Sequence, residues 1–353
     1  IVFAAFSVCA SSLGNVINFK KSADEVIVTS QKGKLIITPY SSDIVKVKVI
    51  PAGETVAEKA SKSVVLQPGK PRFSASEDDA CITVALKGGN SVKIDKATSQ
   101  VRFTSRGRTV LEEKDGITRN GKERRISFKS QEGEAFYGCG ERGVGYNLKG
   151  DTMVMFNKQN YAYGKGDRTS QMNITVPFYI SSLGYGVYFD DYTASKLVLK
   201  NPVEYITESR TPVSYYVIFS EKGDIAGVVK NYTALTGRQE LAPFWALGYI
   251  TSKYGYRTQA ETEGVIDTLR REGYPVDGIV LDLYWYGKEE DMGRFEWNKT
   301  QWPDHKGMLA KLKDDGVKTV IISQPYINKI GAIDNYNMMK AADMLTKDSL
   351  GNV

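Results

Sequence analysis

A run of apolar residues without polar alternation constrains the fold of this chain most strongly. Ile279, Val280 and Leu281 stand together, and the acidic residue Asp282 ends the run. A strand that is apolar at every position is typical of a parallel sheet covered on both faces, whereas a half-exposed strand alternates. The run therefore predicts a buried parallel strand over residues 278–283, with a carboxylate near its carboxyl end.

Asp282 and the aromatic residues that follow it predict a ligand site. An unpaired buried carboxylate is costly, so Asp282 must be paired, hydrogen-bonded or turned toward a ligand. Tyr284, Trp285 and Tyr286 come next and combine flat apolar rings with polar tips. A sugar ring needs both hydrogen-bond acceptors for its hydroxyls and a flat surface for its C–H face. The alternative is that Asp282 only caps the following turn, and this stretch alone leaves both interpretations open.

The chain around this strand alternates between strand and helix patterns from about residue 241. The segments are a strand at 246–251, a helix at 259–271, the strand at 278–283, a helix at 306–315 and a strand at 317–322. Such alternation predicts a parallel sheet, either doubly wound or a (β/α)8 barrel. Both folds place ligands at the carboxyl ends of their strands, where Tyr254, Asp282 with Trp285, and Ile322 with Gln324 stand.

The preceding region has a different rhythm, with short β-branched segments separated by turn residues. Strand patterns occur at 26–29, 34–38, 44–49, 81–86, 91–95, 100–104, 176–180, 186–189 and 213–219. Many short strands at such spacing predict an antiparallel β-sandwich. The change of rhythm places a domain boundary near 238–245. We therefore predict a β-sandwich domain at 15–240 and an α/β domain at 241–353.

The first residues resemble a targeting segment rather than part of a domain. Residues 1–10 read IVFAAFSVCA and give way at once to small and polar residues. This pattern predicts the remnant of a signal peptide over residues 1–14, too short to span a membrane; a buried strand is the alternative. We expect export to the periplasm or cell surface of a bacterium. Cys81 and Cys139 then remain, too few for a disulfide framework.

Composition and isolated motifs argue against nucleotide, metal and nucleic-acid sites. The net charge is +6, and the one basic cluster, 122–125, contains an acid, so we predict a solvated face and no nucleic-acid partner. Residues 138–143 spell GxGxxG, but no helix pattern follows, which favours a tight loop over a dinucleotide site. His305 is the one histidine, and we expect no metal and no cofactor. Asp190 and Asp191 fit a turn at a strand end better than a calcium site.

Several motifs taken together resemble glycoside hydrolase family 31, the α-glucosidase and α-xylosidase family, from about residue 16 to the end. They are FYGCGER at 136–142, PFY at 177–179, GYGV at 184–187, PFWALG at 243–248, YGY at 254–256, the stretch 277–285 and WPD at 302–304. The resemblance is to secreted bacterial members. It implies an N-terminal galactose-mutarotase-like β-sandwich followed by a catalytic (β/α)8 TIM barrel.

The same resemblance implies roles for individual residues. Asp282 matches the family's sugar-binding acid, which accepts hydrogen bonds from ring hydroxyls in the −1 subsite. Tyr254 and Ile322 match positions that line this subsite, and Leu283 and Trp285 lie beside Asp282.

The residue that contacts the next sugar is a point of departure from the family. Residues 156–159 resemble the loop that reaches over the pocket, where many α-glucosidases carry an acid at the position of Gln159. The preference for the group on the other side of the scissile bond is therefore left open.

The family works by retention, with one aspartate as nucleophile and another as acid/base. By this alignment both are expected on barrel segments beyond Val353. Asp334, Asp343 and Asp348 match neither motif, so no residue of this chain is predicted to be catalytic. A barrel needs about 250 residues, so the segment 241–353 would be an incomplete barrel of about three strands and inactive alone.

The predicted function is retaining hydrolysis of α-linked oligosaccharides or glycosides, with α-glucosides as the expected substrates. An α-xylosidase, an α-galactosidase or a transglycosylase of the same family remains open, as does a sugar-binding protein without catalysis. A sugar epimerase of mutarotase type is less well supported, because that chemistry uses histidine and His305 stands at the start of a predicted barrel helix.

Overall fold

The computed structural model describes residues 13–54, 60–69, 73–158, 173–209 and 212–353. Most of the predicted leader and Gln159 lie outside the described residues. The chain divides into two compact units, Ile1–Arg238 and Gln239–Val353, which are described separately below as the N-terminal and C-terminal units.

The described part of the N-terminal unit consists mainly of short strands and contains one helix. Its described strands are β1 (Val16–Lys21), β2 (Val26–Ser30), β3 (Gly33–Pro39), β4 (Ile44–Pro51), β5 (Phe73–Glu77), β6 (Cys81–Leu86), β7 (Asn90–Asp95), β8 (Val101–Ser105), β9 (Arg108–Asn120), β10 (Glu123–Phe128), β11 (Phe136–Gly140), β12 (Thr152–Met155), β13 (Thr175–Ser181), β14 (Tyr185–Phe189), β15 (Ser195–Leu199), β16 (Val203–Thr207) and β17 (Val213–Phe219). Each predicted strand overlaps one of them.

These strands form two antiparallel sheets, which confirms the predicted sandwich. The eight-stranded sheet has the order β1-β2-β3-β4-β17-β14-β13-β11, and the nine-stranded sheet has the order β12-β15-β16-β10-β9-β8-β7-β6-β5. Neighbouring strands are antiparallel throughout both sheets.

Sequence alternation explains which face of each strand is buried. In β4, Val45, Val47 and Val49 are buried while Lys46 and Lys48 between them are not. Period-2 alternation puts the valines on the core face of the sheet and the lysines on the other face.

Aromatic rings fill the centre of this core. Tyr215 of β17 makes an edge contact with Phe128 of β10, with ring centroids 5.5 Å apart. Phe189 of β14 stacks on Tyr205 of β16 at 3.9 Å. Because these strands belong to opposite sheets, the rings join the two layers of the sandwich.

The carboxyl group of Glu113 is buried between the sheets. Glu113 of β9 accepts a hydrogen bond from the Tyr215 hydroxyl at 2.6 Å and one from the Val101 backbone N–H at 3.0 Å. Burial raises the pKa of Glu113 to about 7, although both hydrogen bonds act in the opposite direction. The Glu113–Tyr215 bond crosses the sandwich, since β9 and β17 lie in different sheets.

A helix, α1 (Ile225–Thr236), interrupts a region predicted to contain strands and turns only. The side chain of Asp224 accepts a hydrogen bond from the backbone N–H of Gly227, which caps the first turn. Val228 and Leu235 are buried, and Tyr232 stacks on Phe178 of β13 at 3.9 Å. Packing against the sheet therefore outweighs the low helix propensity of a β-branched sequence.

The GxGxxG segment begins as a strand, so the prediction of a simple tight loop was wrong for its first half. Gly138 and Gly140 belong to β11 and have positive φ values of 102° and 84°. A Cβ at Gly140 would lie 2.5 Å from the backbone oxygen of Ile174. Glycine is required there because the neighbouring chain passes too close for a side chain.

The aspartates after β14 lie where the turn interpretation placed them. Asp190 and Asp191 directly follow Phe189, the last residue of that strand. The Asp191 carboxylate accepts hydrogen bonds from the hydroxyls of Tyr205 at 2.9 Å and Thr207 at 2.6 Å. These bonds tie the turn to β16.

The C-terminal unit alternates strand and helix, as predicted. Its elements are β18 (Ile250–Ser252), α2 (Gln259–Arg271), β19 (Gly278–Leu281), α3 (His305–Asp314), β20 (Lys318–Ile321) and α4 (Ile333–Ala341). The strands form a parallel sheet in the order β18-β19-β20, and Gly278 pairs with both Ile250 and Lys318. Strand order that follows chain order is the arrangement at the start of a (β/α)8 barrel.

The sequence prediction for this unit misplaced the start of its first strand and missed one helix. The strand predicted at 246–251 begins only at Ile250, where its partner Gly278 begins. The residues before it, Phe244–Leu247, form a 3-10 helix after Pro243, whose backbone oxygen accepts a hydrogen bond from Ala246 N–H at 2.9 Å. Helix α4 was not predicted, because its apolar residues are not confined to one face.

The helices cover one face of β19. Val280 points to the other face and is only half-buried, so the prediction of a run buried on both faces was wrong at this residue. Ile279 and Leu281 have no exposed surface, and they share a core with Ile266 of α2 and with Met308 and Leu312 of α3. No helix among the described residues combines the length and apolarity needed to cross a membrane.

Candidate functional site

The candidate site lies at the carboxyl edge of the parallel sheet. Asp282 follows the last residue of β19 and is half-buried. Its Oδ1 accepts a hydrogen bond from the backbone N–H of Leu283 at 2.6 Å, so the turn-capping role holds for one oxygen. In the described part of the chain, Asp282 forms no ion pair and its Oδ2 accepts no hydrogen bond. The Asp282 carboxyl group therefore stands at the strand end with one oxygen available to a ligand.

Leu283 and Trp285 lie beneath this edge rather than on it. Both side chains are buried, with 4% of their surface exposed. The Trp285 ring makes edge contacts with Tyr286 and Trp297, each at a centroid distance of 5.4 Å. The two residues therefore support the loop that follows β19, and their contact with a ligand stays a prediction.

Ile322 belongs to the same edge through its backbone. Its N–H donates to the carbonyl of Leu281 at 3.0 Å, and its carbonyl accepts a hydrogen bond from Trp285 Nε1 at 2.7 Å. The side chain of Ile322 is half-buried and packs against the core of the unit. The structure thus joins Trp285 to Ile322 across the ends of β19 and β20, and Asp282 directly follows β19 at the same edge.

Tyr254 lies at the end of the neighbouring strand, two residues after β18, and its side chain is 65% exposed. Its hydroxyl donates a hydrogen bond to Oε1 of Glu289 at 2.8 Å. This bond to a carboxylate raises the pKa of Tyr254 to about 12. The ring meets Tyr284 edge to face, with centroids 6.0 Å apart. An exposed aromatic ring at a strand end can pack against the C–H face of a sugar.

Tyr284 is held in an uncommon backbone conformation, with φ at 78°. The backbone of Gly255 passes so close that a Cβ there would lie 2.1 Å from a ring carbon of Tyr284. The guanidinium of Arg257 lies over the same ring, 4.4 Å from its centroid, in a cation–π contact. Residues of the loop after β18 therefore hold the ring of Tyr284, which belongs to the loop after β19.

Tyr286 brings a buried hydroxyl to this loop. Only 2% of the residue is exposed, and its hydroxyl has no hydrogen-bond partner among the described residues. Burial raises the pKa of Tyr286, and the negative charges of Asp282 and Glu289 add to the effect. Tyr286 therefore stays protonated beside the acidic edge.

The loop that carries the aromatic residues is tied down by WPD at 302–304. Trp302 is fully buried and its Nε1 donates to the backbone oxygen of Tyr284 at 3.1 Å. The side chain of Asp304 accepts a hydrogen bond from the Gly307 N–H at 3.0 Å and so caps α3. This motif fixes the start of α3 and the backbone of the site together.

Sequence reasoning missed the roles of Glu289 and Arg257. Glu289 joins Tyr254 to the loop after β19, and Arg257 covers Tyr284. The acidic run at 289–291 and the glycine at Gly255 were the available signals, but neither indicates its partner. Within the described residues, no three His, Cys, Asp or Glu side chains cluster as metal ligands.

Comparison with known families assigns both units. A β-sandwich followed by the strand–helix alternation of a barrel, with a carboxylate at a barrel strand end, is the architecture of a class of multidomain glycosidases. Residues 239–353 match the TIM-barrel domain of glycosyl hydrolases family 31, and residues 34–196 match the galactose mutarotase-like N-terminal domain of the same family. The chain belongs to glycoside hydrolase family 31, and its parallel sheet is part of a TIM barrel rather than a doubly wound fold.

Curated relatives carry two kinds of name. The chain is 28% identical to alpha-glucosidase 2 of Bacillus thermoamyloliquefaciens over 324 residues. This alignment covers 90% of this chain and 40% of that protein. It is 29% identical over 284 residues to an alpha-xylosidase of Saccharolobus solfataricus, covering 76% and 37% respectively. The chain thus spans about two fifths of the length of these relatives.

Solved structures share the fold. The family 31 dextranase of Flavobacterium johnsoniae in complex with glucose superposes with a TM-score of 0.87 at 22% identity, over 97% of this chain and 42% of the dextranase. A family 31 alpha-xylosidase from a soil metagenome gives a TM-score of 0.78 at 23% identity, over 95% and 52%. At these identities the likeness concerns the fold alone.

Proposed function

We propose that the protein to which this chain belongs is a retaining α-glycoside hydrolase that acts on α-glucosides. The observation that carries the proposal is the placement of Asp282. It stands at the carboxyl end of a barrel strand, where (β/α)8 enzymes bind substrate, and one of its oxygens is free to accept hydrogen bonds. Family 31 membership supplies the reaction class.

Asp282 acts in this proposal as a binding residue of the −1 subsite. Its carboxylate accepts hydrogen bonds from ring hydroxyls, and such bonds strengthen as positive charge develops at the sugar ring in the oxocarbenium-like transition state. The nucleophile and the acid/base of the retaining mechanism are not assigned to residues of this chain. Asp282 itself is not the nucleophile.

The remaining predicted residues shape the subsite around Asp282. Tyr254 offers an exposed ring at the end of β18, and Ile322 supplies apolar surface at the end of β20. Leu283 and Trp285 lie in the core beneath this edge and hold the loop that follows β19. A pyranose ring needs this combination of one strong acceptor and apolar walls. A role for Gln159 in selecting the group on the far side of the scissile bond stays a prediction.

An α-xylosidase is the second candidate, because relatives of similar identity carry that name. An α-galactosidase, a transglycosylase and a sugar-binding protein without catalysis share the same binding features. The discriminating experiment assays the product of the complete gene on aryl α-glucoside, α-xyloside and α-galactoside, each with and without an acceptor sugar. We expect the highest kcat/KM on the α-glucoside. Preference for the xyloside or galactoside would overturn the substrate, and binding without turnover would overturn the hydrolase.

We further propose that the protein is exported to the periplasm or surface of a bacterial cell, with residues 1–14 as the remnant of its signal peptide. The apolar run at 1–10 and the small residues after it support this proposal. Cell fractionation followed by N-terminal sequencing tests it. A mature chain that starts near residue 15 in the exported fraction is expected, and an uncleaved chain in the cytoplasmic fraction would contradict it.

A further inference from the structure

One carboxylate connects the two loops that follow β18 and β19. Oε1 of Glu289 accepts the hydrogen bond from Tyr254 at 2.8 Å, and the Tyr284 hydroxyl lies 3.5 Å from the same oxygen. Glu289 begins a short 3-10 helix, Glu289–Asp291, in the loop after β19. The carboxylate thus contacts the tips of two aromatic side chains at the carboxyl edge of the sheet.

Tyr254 needs this contact because little else holds its ring. The residue is 65% exposed, and its described ring contact is the edge-to-face pair with Tyr284. An exposed tyrosine rotates freely about its side-chain bonds, so a hydrogen bond at its tip selects one orientation. Without Glu289, the ring would sample several orientations before a ligand reached it.

The partners of Tyr254 are themselves fixed. Tyr284 is held between Gly255 and Arg257, as described above. The 3-10 helix is held by the hydrogen bond from the Gly331 N–H to the backbone oxygen of Glu290 at 3.1 Å. A Cβ at Gly331 would lie 2.3 Å from that oxygen, so glycine permits the close approach. Glu289 is therefore presented from an anchored backbone and can orient a mobile ring.

We propose that Glu289 is a positioning residue of the sugar site, which holds the Tyr254 ring in the orientation that packs against the C–H face of a neutral pyranose. The inference rests on the proposed function, because it assumes that Tyr254 lines the subsite. Its role is indirect: Glu289 acts through Tyr254 and lowers the entropy cost of ordering that ring when the sugar binds. The effect belongs to binding, so it changes KM and leaves the chemical step largely unchanged.

The raised pKa of Tyr254 gives this contact its own readout. The hydrogen bond to Glu289 is the largest cause of that shift, so removing the carboxylate lowers the pKa from about 12 toward its ordinary value. Tyrosinate absorbance during an alkaline titration measures it, with Tyr254→Phe as the blank that assigns the signal.

Four variants of the complete gene product test the proposal by steady-state kinetics on an aryl α-glucoside. Glu289→Ala is expected to raise KM about three- to tenfold, with kcat within about twofold, because one hydrogen bond to an exposed ring is lost. Glu289→Gln keeps an acceptor oxygen and is expected to restore most of the binding. Tyr254→Phe removes the donor and should match Glu289→Ala, and the double variant should be no worse than either alone.

Glu290→Ala is the matched control. Glu290 is the adjacent exposed carboxylate, paired with Lys288 rather than with an aromatic ring. We expect its KM and the Tyr254 titration to equal those of the wild type. If Glu289→Ala also leaves KM within twofold while the wild type turns over the glycoside, the positioning role is wrong and the proposed function stands. If the wild type neither binds nor hydrolyses any glycoside, the proposed function fails and the positioning role falls with it.

Discussion

The indole Nε1 of Trp285 donates a hydrogen bond to the backbone carbonyl of Ile322 at 2.7 Å. This bond joins the loop after β19 to the chain that leaves β20, at the edge where Asp282 stands. A buried side chain thereby fixes the spacing between two adjacent strand ends. At these two strand ends the candidate site is consequently braced by a buried side chain from beneath.

Loss of that bond is expected to weaken the C-terminal unit. Trp285→Phe leaves the Ile322 carbonyl without its donor and opens a small cavity, at a cost of about 2–3 kcal/mol in the free energy of unfolding. Denaturant unfolding of the whole chain measures the loss. Trp297→Phe makes the same chemical change in the neighbouring, partly buried ring and should cost less. Equal losses in both variants would show that the Trp285–Ile322 bond has no special role.

Glu113 is expected to make the sandwich less stable as pH rises. Burial raises its folded pKa to about 7 from an ordinary value of 4.5, so the folded state holds the proton more tightly than the unfolded state. The contribution of this proton to the free energy of unfolding is complete below the unfolded pKa. It is lost as pH rises through about 7, and the total loss is about 3 kcal/mol.

Glu113→Gln should abolish this dependence, because a neutral amide can accept from Val101 N–H and donate to the Tyr215 hydroxyl. Urea unfolding at pH 5 and pH 8 measures it. Glu112→Gln is the control at the adjacent position. Partial burial acts to raise the pKa of Glu112, but the hydrogen bonds and charges of Lys129 and Arg102 outweigh it and lower the pKa. That group therefore does not titrate between pH 5 and pH 8 and its replacement leaves the slope unchanged. A wild-type stability that rose over this interval would contradict the account.

The sandwich domain also contains a largely buried ion pair. Arg124 of β10 pairs with Glu54 at 2.7 Å, and their side chains are only 8% and 16% exposed. Glu54→Ala leaves a buried guanidinium without its partner, at an expected cost of about 3 kcal/mol. Glu221→Ala breaks an exposed pair with Arg106, which is 2.9 Å long, and should cost less than about 1 kcal/mol. Thermal unfolding compares the two variants, and similar costs would refute the role of burial.

The fold was predictable wherever one strand face or one helix face carries the apolar residues. The valines and lysines of β4 alternate, so the pattern indicates which face lies in the core. The apolar run of β19 indicates the face under the helices but not the other face, where Val280 is only half-buried. Helix α1 was not predictable in this way, because its β-branched residues suit strands and its stability comes from the Asp224 cap and from packing on the sheet.

The candidate site was likewise predictable only where a local sequence pattern points to it. Asp282 is found from its place after β19, since a carboxylate next to a buried strand requires an explanation. The contact of Glu289 with Tyr254 joins residues from two loops, and no local pattern reports which loop residues meet in space. The left-handed backbone of Tyr284 is equally hidden, because the residues that contact its ring, Gly255 and Arg257, come from the other loop.

We propose that Asp282 binds sugar hydroxyls at the carboxyl edge of a family 31 barrel, and kcat/KM of the Asp282→Ala variant tests this role most directly. The product of the complete gene is assayed on an aryl α-glucoside, with Asp267→Ala on the exposed face of α2 as the control. Each charge-assisted hydrogen bond contributes about 1.5–3 kcal/mol, so two lost bonds predict a fall of at least about 100-fold. The control should retain wild-type activity. An Asp282→Ala enzyme within a few-fold of the wild type would contradict the assignment.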